Sequence, residues 1–284
     1  MASRETREAP ERGQPATGDD DERLLAAAIA AAREAGAVIR AHAGAVAAGS
    51  WEEKSPSDFV SFVDRAAEAR IAATVAALVP DARLLAEEET PDVATEEGIV
   101  FVADPLDGTT NFLHDFPTYA VSIAVLVDGA LRAAAVLDVA RDELFTALAG
   151  RGAWRDGAPV RVSATTEPSR ALVGTGFPFK HRELIEPYIE RLPPIMAATA
   201  GIRRAGAAAL DLAAVACGRF DAFWELRLAP WDMAAGLLLV REAGGVVTDL
   251  RGAPARVTAG GLVAGNPAMH RWLLAQLNPD GPAA

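Results

Sequence analysis

Apolar residues recur at three- and four-residue spacing through LLAAAIAAAREAGAVIRAHAGAV, which predicts one long helix from Asp21 to about Ala48. Asp19, Asp20 and Asp21 stand where caps and negative charge favour a helix start. WEEKSPSDFVSFVD shows no period and reads as a loop. A second helix is predicted from about Asp64 to Leu78, stopping before Pro80. ARLLA predicts a short strand. IVFVA, five apolar residues in a row, predicts a buried one that ends at Asp104, because Pro105 forces the residue before it into an extended conformation. Residues 119–148 read as a β-meander with Asp128-Gly129 at a hairpin turn, and Asp156-Gly157 marks a second turn.

After about residue 165 strands and helices alternate. ALVGTG, RFDAFWEL, GVVTD and GLVAG predict strands. HRELIEPYIERL, GAAALDLAAVACG (closed by Gly218), WDMAAGLLLVREAGG and PAMHRWLLAQL predict helices. Two fused lobes are expected, an N-terminal α+β lobe over 21–164 and a C-terminal α/β lobe over 165–284, with a disordered tail over 1–20.

Composition narrows the class. A chain of 284 residues, 51% apolar and 23% charged, can bury a large core. No run of about 18 apolar residues is present, so no membrane span is expected. The polar N-terminus lacks the apolar core of a signal peptide, and the lone Cys217 fits a reducing cytoplasm. A net charge of −12 argues against general nucleic-acid binding, so an anionic substrate would need a metal or directed backbone donors. Of the 27 basic residues only Lys54 and Lys180 are lysine, which hints at a chemical need at both.

ADPLDGTTNF sets two aspartates three residues apart at a strand end. Two carboxylates this close repel, and more so out of water. Gly108 permits close backbone approach, and Thr109 and Thr110 can open a helix whose free N–H groups face the same spot. Cation ligands beside an anion cradle suggest metal-assisted phosphoryl chemistry, for which Mg²⁺ is suited. Glu87-Glu88-Glu89-Thr90 and PWDMAAG, with Asp232, add acids at another strand end and another helix start. None of His42, His114, His181 and His270 has metal-ligand spacing, and all four read as structural or surface residues.

DPLDGTTNF, the upstream EEET and the downstream PWDMAAG, with KSPSDFVSFVD, GFPFK, RRAGAAALDLA and REAGG, make the chain resemble the inositol monophosphatase family from about Asp21 onward, its bacterial form above all. The resemblance implies a layered αβαβα sandwich of the inositol monophosphatase/fructose-1,6-bisphosphatase type. It implies two or three Mg²⁺ ions held by Glu88, Asp104, Asp107, Asp232 and the Leu106 carbonyl. Glu88 is chosen because the family's ligand stands two residues before a Ser or Thr, here Thr90, with Glu89 behind it. Glu88, Asp64 and Thr109 are the implied catalytic residues. Thr109, bonded to Asp64, would orient or deprotonate the attacking water. The N–H groups of Gly108 and Thr109 would hold phosphate oxygens.

On the substrate side the resemblance implies Lys54, from a loop that folds over the site, with Leu106, Asp107, Gly108, Thr109, Arg203, Gly206, Ala208, Glu225 and Asp232. Glu225 matches a position that binds ring hydroxyls. Ala208 brings no hydroxyl, and Ala229 stands where bacterial relatives often carry a basic residue. The implied activity is Mg²⁺-dependent hydrolysis of myo-inositol monophosphate and other small polyol phosphates, lithium-sensitive, by a cytoplasmic homodimer. Histidinol phosphate, fructose 1,6-bisphosphate and 3′-phosphoadenosine 5′-phosphate are alternative substrates. Thr110 favours the inositol group, since relatives acting on the first and last of these often carry Lys there. A mainly regulatory, non-catalytic role is the alternative of a different class.

Overall fold

The computed structural model describes residues 18–45, 51–55 and 58–279. Most of the expected tail, residues 1–17, lies outside the described residues. The first helix, α1, runs Gly18–His42 and is shorter at its C-terminal end than the periodicity suggested. The stretch read as a loop holds a small antiparallel hairpin, β1 (Glu52–Ser55) with β2 (Asp58–Val60). It is too short and polar to show a two-residue period. Helix α2 (Phe62–Leu78) begins at a capping box in which the Ser61 hydroxyl accepts from Val63 N and Asp64 accepts from Ser61 N.

A seven-stranded sheet follows in the order β3-β4-β5-β6-β7-β8-β9. Its strands are β3 (Arg83–Ala86), β4 (Ile99–Asp107), β5 (Ala120–Val127), β6 (Ala130–Asp138), β7 (Glu143–Leu148), β8 (Gly152–Arg155) and β9 (Ala158–Pro159). The meander is antiparallel, and Asp128 and Gly129 both take positive φ (50° and 78°), as a tight β5–β6 hairpin requires. Strand β4 does not end at Asp104. It runs on through Pro105 to Asp107, its pairing with β5 irregular between Asp104 and Asp107. A bulge absorbs the proline's missing N–H without ending the strand.

The second sheet, ordered β11-β10-β12-β14-β13, uses β10 (Leu172–Thr175), β11 (Gly201–Arg203), β12 (Ala222–Leu228), β13 (Val246–Asp249) and β14 (Gly260–Gly265). Strand β11 was not foreseen; three residues at a sheet edge carry almost no pattern. After the short helix α3 (Thr109–Leu113) come α4 (Ile185–Ala198), α5 (Ala208–Ala216), α6 (Pro230–Glu242) and α7 (Pro267–Leu277). Helix α4 continues through Pro193 and Pro194.

The layers are αβαβα. On β4, Phe101 and Ala103 pack towards α1 and α2, while Val100 and Val102 point to the opposite face, where α5 and α6 lie between the two sheets. The Ala222, Trp224 and Val263 face of the second sheet packs with Tyr188 of α4 and Met269 and Leu273 of α7. The central core mixes residues from both halves of the chain, from Leu85 and Val136 to Leu212 and Leu239. Among the described residues no helix is long and apolar enough to cross a membrane.

Candidate active site

The β4 bulge delivers two carboxylates to one place. Asp104, 2% exposed, accepts a hydrogen bond from Leu106 N at 2.9 Å. Asp107 accepts from Ala209 N, in the first turn of α5, at 2.7 Å. Gly108 then takes φ 92°, where a Cβ would stand 2.8 Å from the Thr118 carbonyl, so the turn into α3 accepts only glycine. Asn111, on α3, donates to the carbonyls of Thr118, Ala205 and Gly206 at 2.7, 3.0 and 3.3 Å. It ties the motif to the segment that leads into α5.

Thr109 Oγ1 lies 2.9 Å from Asp64 Oδ1 and 3.0 Å from the Leu106 carbonyl. The Thr109–Asp64 pair is the one the sequence implied. Asp64 is fixed from its other oxygen, which accepts from Ser61 N at 2.9 Å and Ser61 Oγ at 2.7 Å. Burial pushes the Asp64 carboxyl up, and the Ser61 and Thr109 hydrogen bonds partly offset it.

The acidic turn after β3 corrects the expectation for Glu88. Glu87, not Glu88, lines the cavity with Asp104 and Asp107, and its charge bears on both of them. Glu88 instead bears on Arg65. The register is set by Glu68 on α2, a buried carboxylate whose two oxygens accept from Glu88 N and Glu89 N, each at 2.8 Å. The Ala86–Thr90 bridge closes the turn. In three consecutive glutamates this distant anchor, together with the Ala86–Thr90 bridge, helps set which one turns inward. Glutamine at Glu68 offers a single acceptor to two N–H groups. Glu68→Gln is therefore expected to weaken Mn²⁺ binding, read by EPR titration, about tenfold while the thermal transition stays cooperative. Unchanged binding would exclude this role for Glu68.

The C-terminal half supplies the opposite wall. Asp232, in the first turn of α6, accepts from Ala229 N at 2.7 Å. With Glu225, Gly206, Ala208, Ala229, Leu106, Gly108 and Thr109 it lines one cavity of about 620 Å³. Glu225 packs on Gly176 so closely that a Cβ there would stand 2.0 Å from its carboxyl carbon. Arg203 does not reach this cavity. It ends β11, exposed, with Nη1 donating to the Ile202 carbonyl at 3.0 Å. Its neighbour Arg204 lines the cavity instead, its guanidinium 5.8 and 5.0 Å from the Phe177 and Phe179 ring centres. Successive residues of an extended chain face opposite ways, so a one-residue shift exchanges the two arginines.

Lys180 and His181 also line the cavity, so His181 is not merely a surface histidine. Asp211 lines it as well. The sequence signal for Lys180 was the scarcity of lysine; for Asp211 and Arg204 none stood out. Lys54 has its backbone in β1, and its side chain lies outside the described residues.

The electrostatics follow from crowding. Burial, then the charges of Glu87, Asp107 and Asp232, push the Asp104 carboxyl well above the usual range. Burial and Asp232 raise Asp107 to about 8, against the Ala209 and Ala208 N–H groups. Burial, Asp232 and Asp211 push Glu225 well up, with Arg204 opposing. Such a set is stable only protonated or with cations between its members.

All the candidate ligands are oxygens, which suits a hard cation. Among the described residues no three His, Cys, Asp or Glu side chains form a ready-made metal cluster. Mg²⁺ is commonly held by one or two carboxylates and completed by waters and substrate phosphate, so it does not require a cage built wholly from protein atoms. Glu87, Asp104, Asp107 and Asp232 with the Leu106 carbonyl fit such ions.

A family model described as the inositol monophosphatase family matches residues 20–280. The Nus factor SuhB of Pseudomonas aeruginosa is 46% identical over 263 residues, covering 91% of this chain and 97% of the relative. A crystal structure of the extragenic suppressor protein suhB from Bartonella henselae superposes with a TM-score of 0.85 at 40% identity, over 89% of this chain and 98% of that one. An inositol monophosphatase structure from Anabaena gives a TM-score of 0.80 at 37% identity, over 92% and 97%.

Proposed function

The chain belongs to the inositol monophosphatase family of metal-dependent phosphatases, and on that premise we propose that it hydrolyses myo-inositol monophosphate and related small polyol phosphates with Mg²⁺. The observation that carries the reading is the meeting of Glu87, Asp104, Asp107 and Asp232 in one cavity beside the Thr109–Asp64 pair. When bound, Mg²⁺ neutralises these carboxylates, lowers the pKa of a water from about 16 towards 7 and stabilises the leaving alkoxide.

The protein's own groups do the rest. Asp64 accepts from the Thr109 hydroxyl, so as a Thr109 lone pair takes the proton of an attacking water, the hydroxyl's own proton passes to the Asp64 carboxylate. The N–H groups of Gly108 and Thr109 face the phosphate oxygens, and Glu225 accepts from leaving-group hydroxyls. Asp107 keeps its orientation through Ala209 N, so the ligand set and the leaving-group wall are fixed together.

Phosphate release measured with Mg²⁺ on inositol 1-phosphate, histidinol phosphate, fructose 1,6-bisphosphate and 3′-phosphoadenosine 5′-phosphate is expected to give the highest kcat/KM on the first. Millimolar Li⁺ is expected to lower it. No Mg²⁺-dependent release from any of the four would overturn the reading. A second reading, in which the folded protein acts mainly as a regulator, draws on the Nus factor name of the relatives. A cellular defect rescued fully by Asp104→Asn would favour it.

A further inference from the structure

Asp211 stands in the first turn of α5, 2% exposed, and lines the cavity on the same side as Glu225. It is no part of the ligand set or of the Thr109–Asp64 pair. Among the described residues no protein hydrogen bond to its carboxylate is seen; burial and the charge of Asp107 act on it, with the Arg204 guanidinium opposing. A carboxylate that is largely buried, with no protein donor, takes its hydrogen bonds from whatever occupies the cavity it lines. Arg204 does not complete it, since its guanidinium rests against Phe177 and Phe179. Glu225, whose pKa Asp211 helps to raise, faces the same space from β12.

We propose that Asp211 is a substrate-contacting residue that forms, with Glu225, a pair of acceptors for hydroxyl groups of the leaving alcohol, so that the site selects phosphate esters of polyols over esters of hydroxyl-free alcohols. The two carboxylates approach from different elements, a helix start and a strand, and so meet different hydroxyls of one ring. Ala207, Ala208 and Leu228 add apolar surface to the same cavity, and the basic side chains that line it, Arg204, Lys180 and His181, are donors, so the two acids supply acceptors for hydroxyl protons. This rests on the phosphatase reading and adds a determinant of selectivity to it.

The test compares wild type, Asp211→Asn and Asp211→Ala on inositol 1-phosphate and on p-nitrophenyl phosphate, whose leaving group bears no further hydroxyl, with Mn²⁺ binding read by EPR. Asp211→Ala is expected to lower kcat/KM on inositol 1-phosphate about tenfold or more, to leave p-nitrophenyl phosphate within about twofold, and to leave Mn²⁺ binding unchanged. Asp211→Asn, which keeps an acceptor, should fall between. If both substrates decline together, if neither declines, or if Mn²⁺ binding weakens, the proposal is overturned. Should the alanine variant lose its cooperative thermal transition, the near-isosteric asparagine variant carries the same two-substrate ratio. Wild type that hydrolyses p-nitrophenyl phosphate but not inositol 1-phosphate sinks the polyol role of Asp211 and leaves the metal chemistry standing. Wild type that hydrolyses neither of these, nor histidinol phosphate, fructose 1,6-bisphosphate or 3′-phosphoadenosine 5′-phosphate, sinks the phosphatase reading itself.

Discussion

Asp104→Asn is expected to lower kcat/KM on inositol 1-phosphate by about 10³-fold or more, since it removes a central carboxylate and several kcal/mol of metal-borne charge stabilisation with it. The same change should raise the melting temperature of the metal-free protein. Asp104 is 2% exposed and faces Glu87, Asp107 and Asp232, so in its charged form it is a source of repulsion until cations arrive. The stabilisation on adding Mg²⁺ should shrink in the variant, because it grows with metal affinity. A near-normal rate in Asp104→Asn would refute the proposed mechanism.

The pH dependence has a definite sign. In the metal-free protein Asp107 is raised from 3.8 to about 8, so the native state holds its proton more tightly than the unfolded chain. That contribution to stability is fully present below about pH 4 and is lost as pH rises through about 8. Asp104, shifted the same way, adds to it. Metal-free wild type should therefore lose stability across this window in thermal melts, less so in Asp104→Asn. A rising profile would contradict the crowding seen here.

Thr109→Ala gives the second large effect. The hydroxyl is held between Asp64 Oδ1 and the Leu106 carbonyl, and has one proton to give. Without it no group relays the water's proton to Asp64, and kcat should fall about 10²- to 10⁴-fold, the usual span of general acid–base contributions. KM and Mn²⁺ affinity should change little, and Thr109→Ser should recover most of the rate. A kcat within a few-fold of wild type in the alanine variant would remove Thr109 from proton handling.

Much of the layered fold could be read from periodicity, because long buried strands such as β4 and β5 and helices such as α1 and α6 carry strong patterns. The short pieces could not: β1, β2 and β11 are three or four residues long and exist through their pairing. Pro105 misled because local sterics predict a strand end, whereas tertiary packing carries the strand through a bulge. In the site, isolated acids in distinctive surroundings were legible: Asp64 with Thr109, Asp107, Asp232 and Glu225 all reach one neighbourhood. Runs of like residues were not. Choosing among Glu87, Glu88 and Glu89 needs Glu68, 20 residues away in sequence, and choosing between Arg203 and Arg204 needs the end of β11. Asp211 stayed hidden because an acid in the first turn of a helix looks like an ordinary favourable charge.

Asn111 and Asp107 both reach across the chain, one to the carbonyls of Ala205 and Gly206, the other to Ala209 N. The central core likewise draws on segments from Leu85 to Ala264. Neither half of the sequence owns a working site, so a fragment cut near residue 165 inherits the acidic motif without the partners that orient it. Turnover is therefore expected to gauge cooperativity: activity should be lost together with the global unfolding transition, and a rate that outlasts the parting of the halves would contradict this.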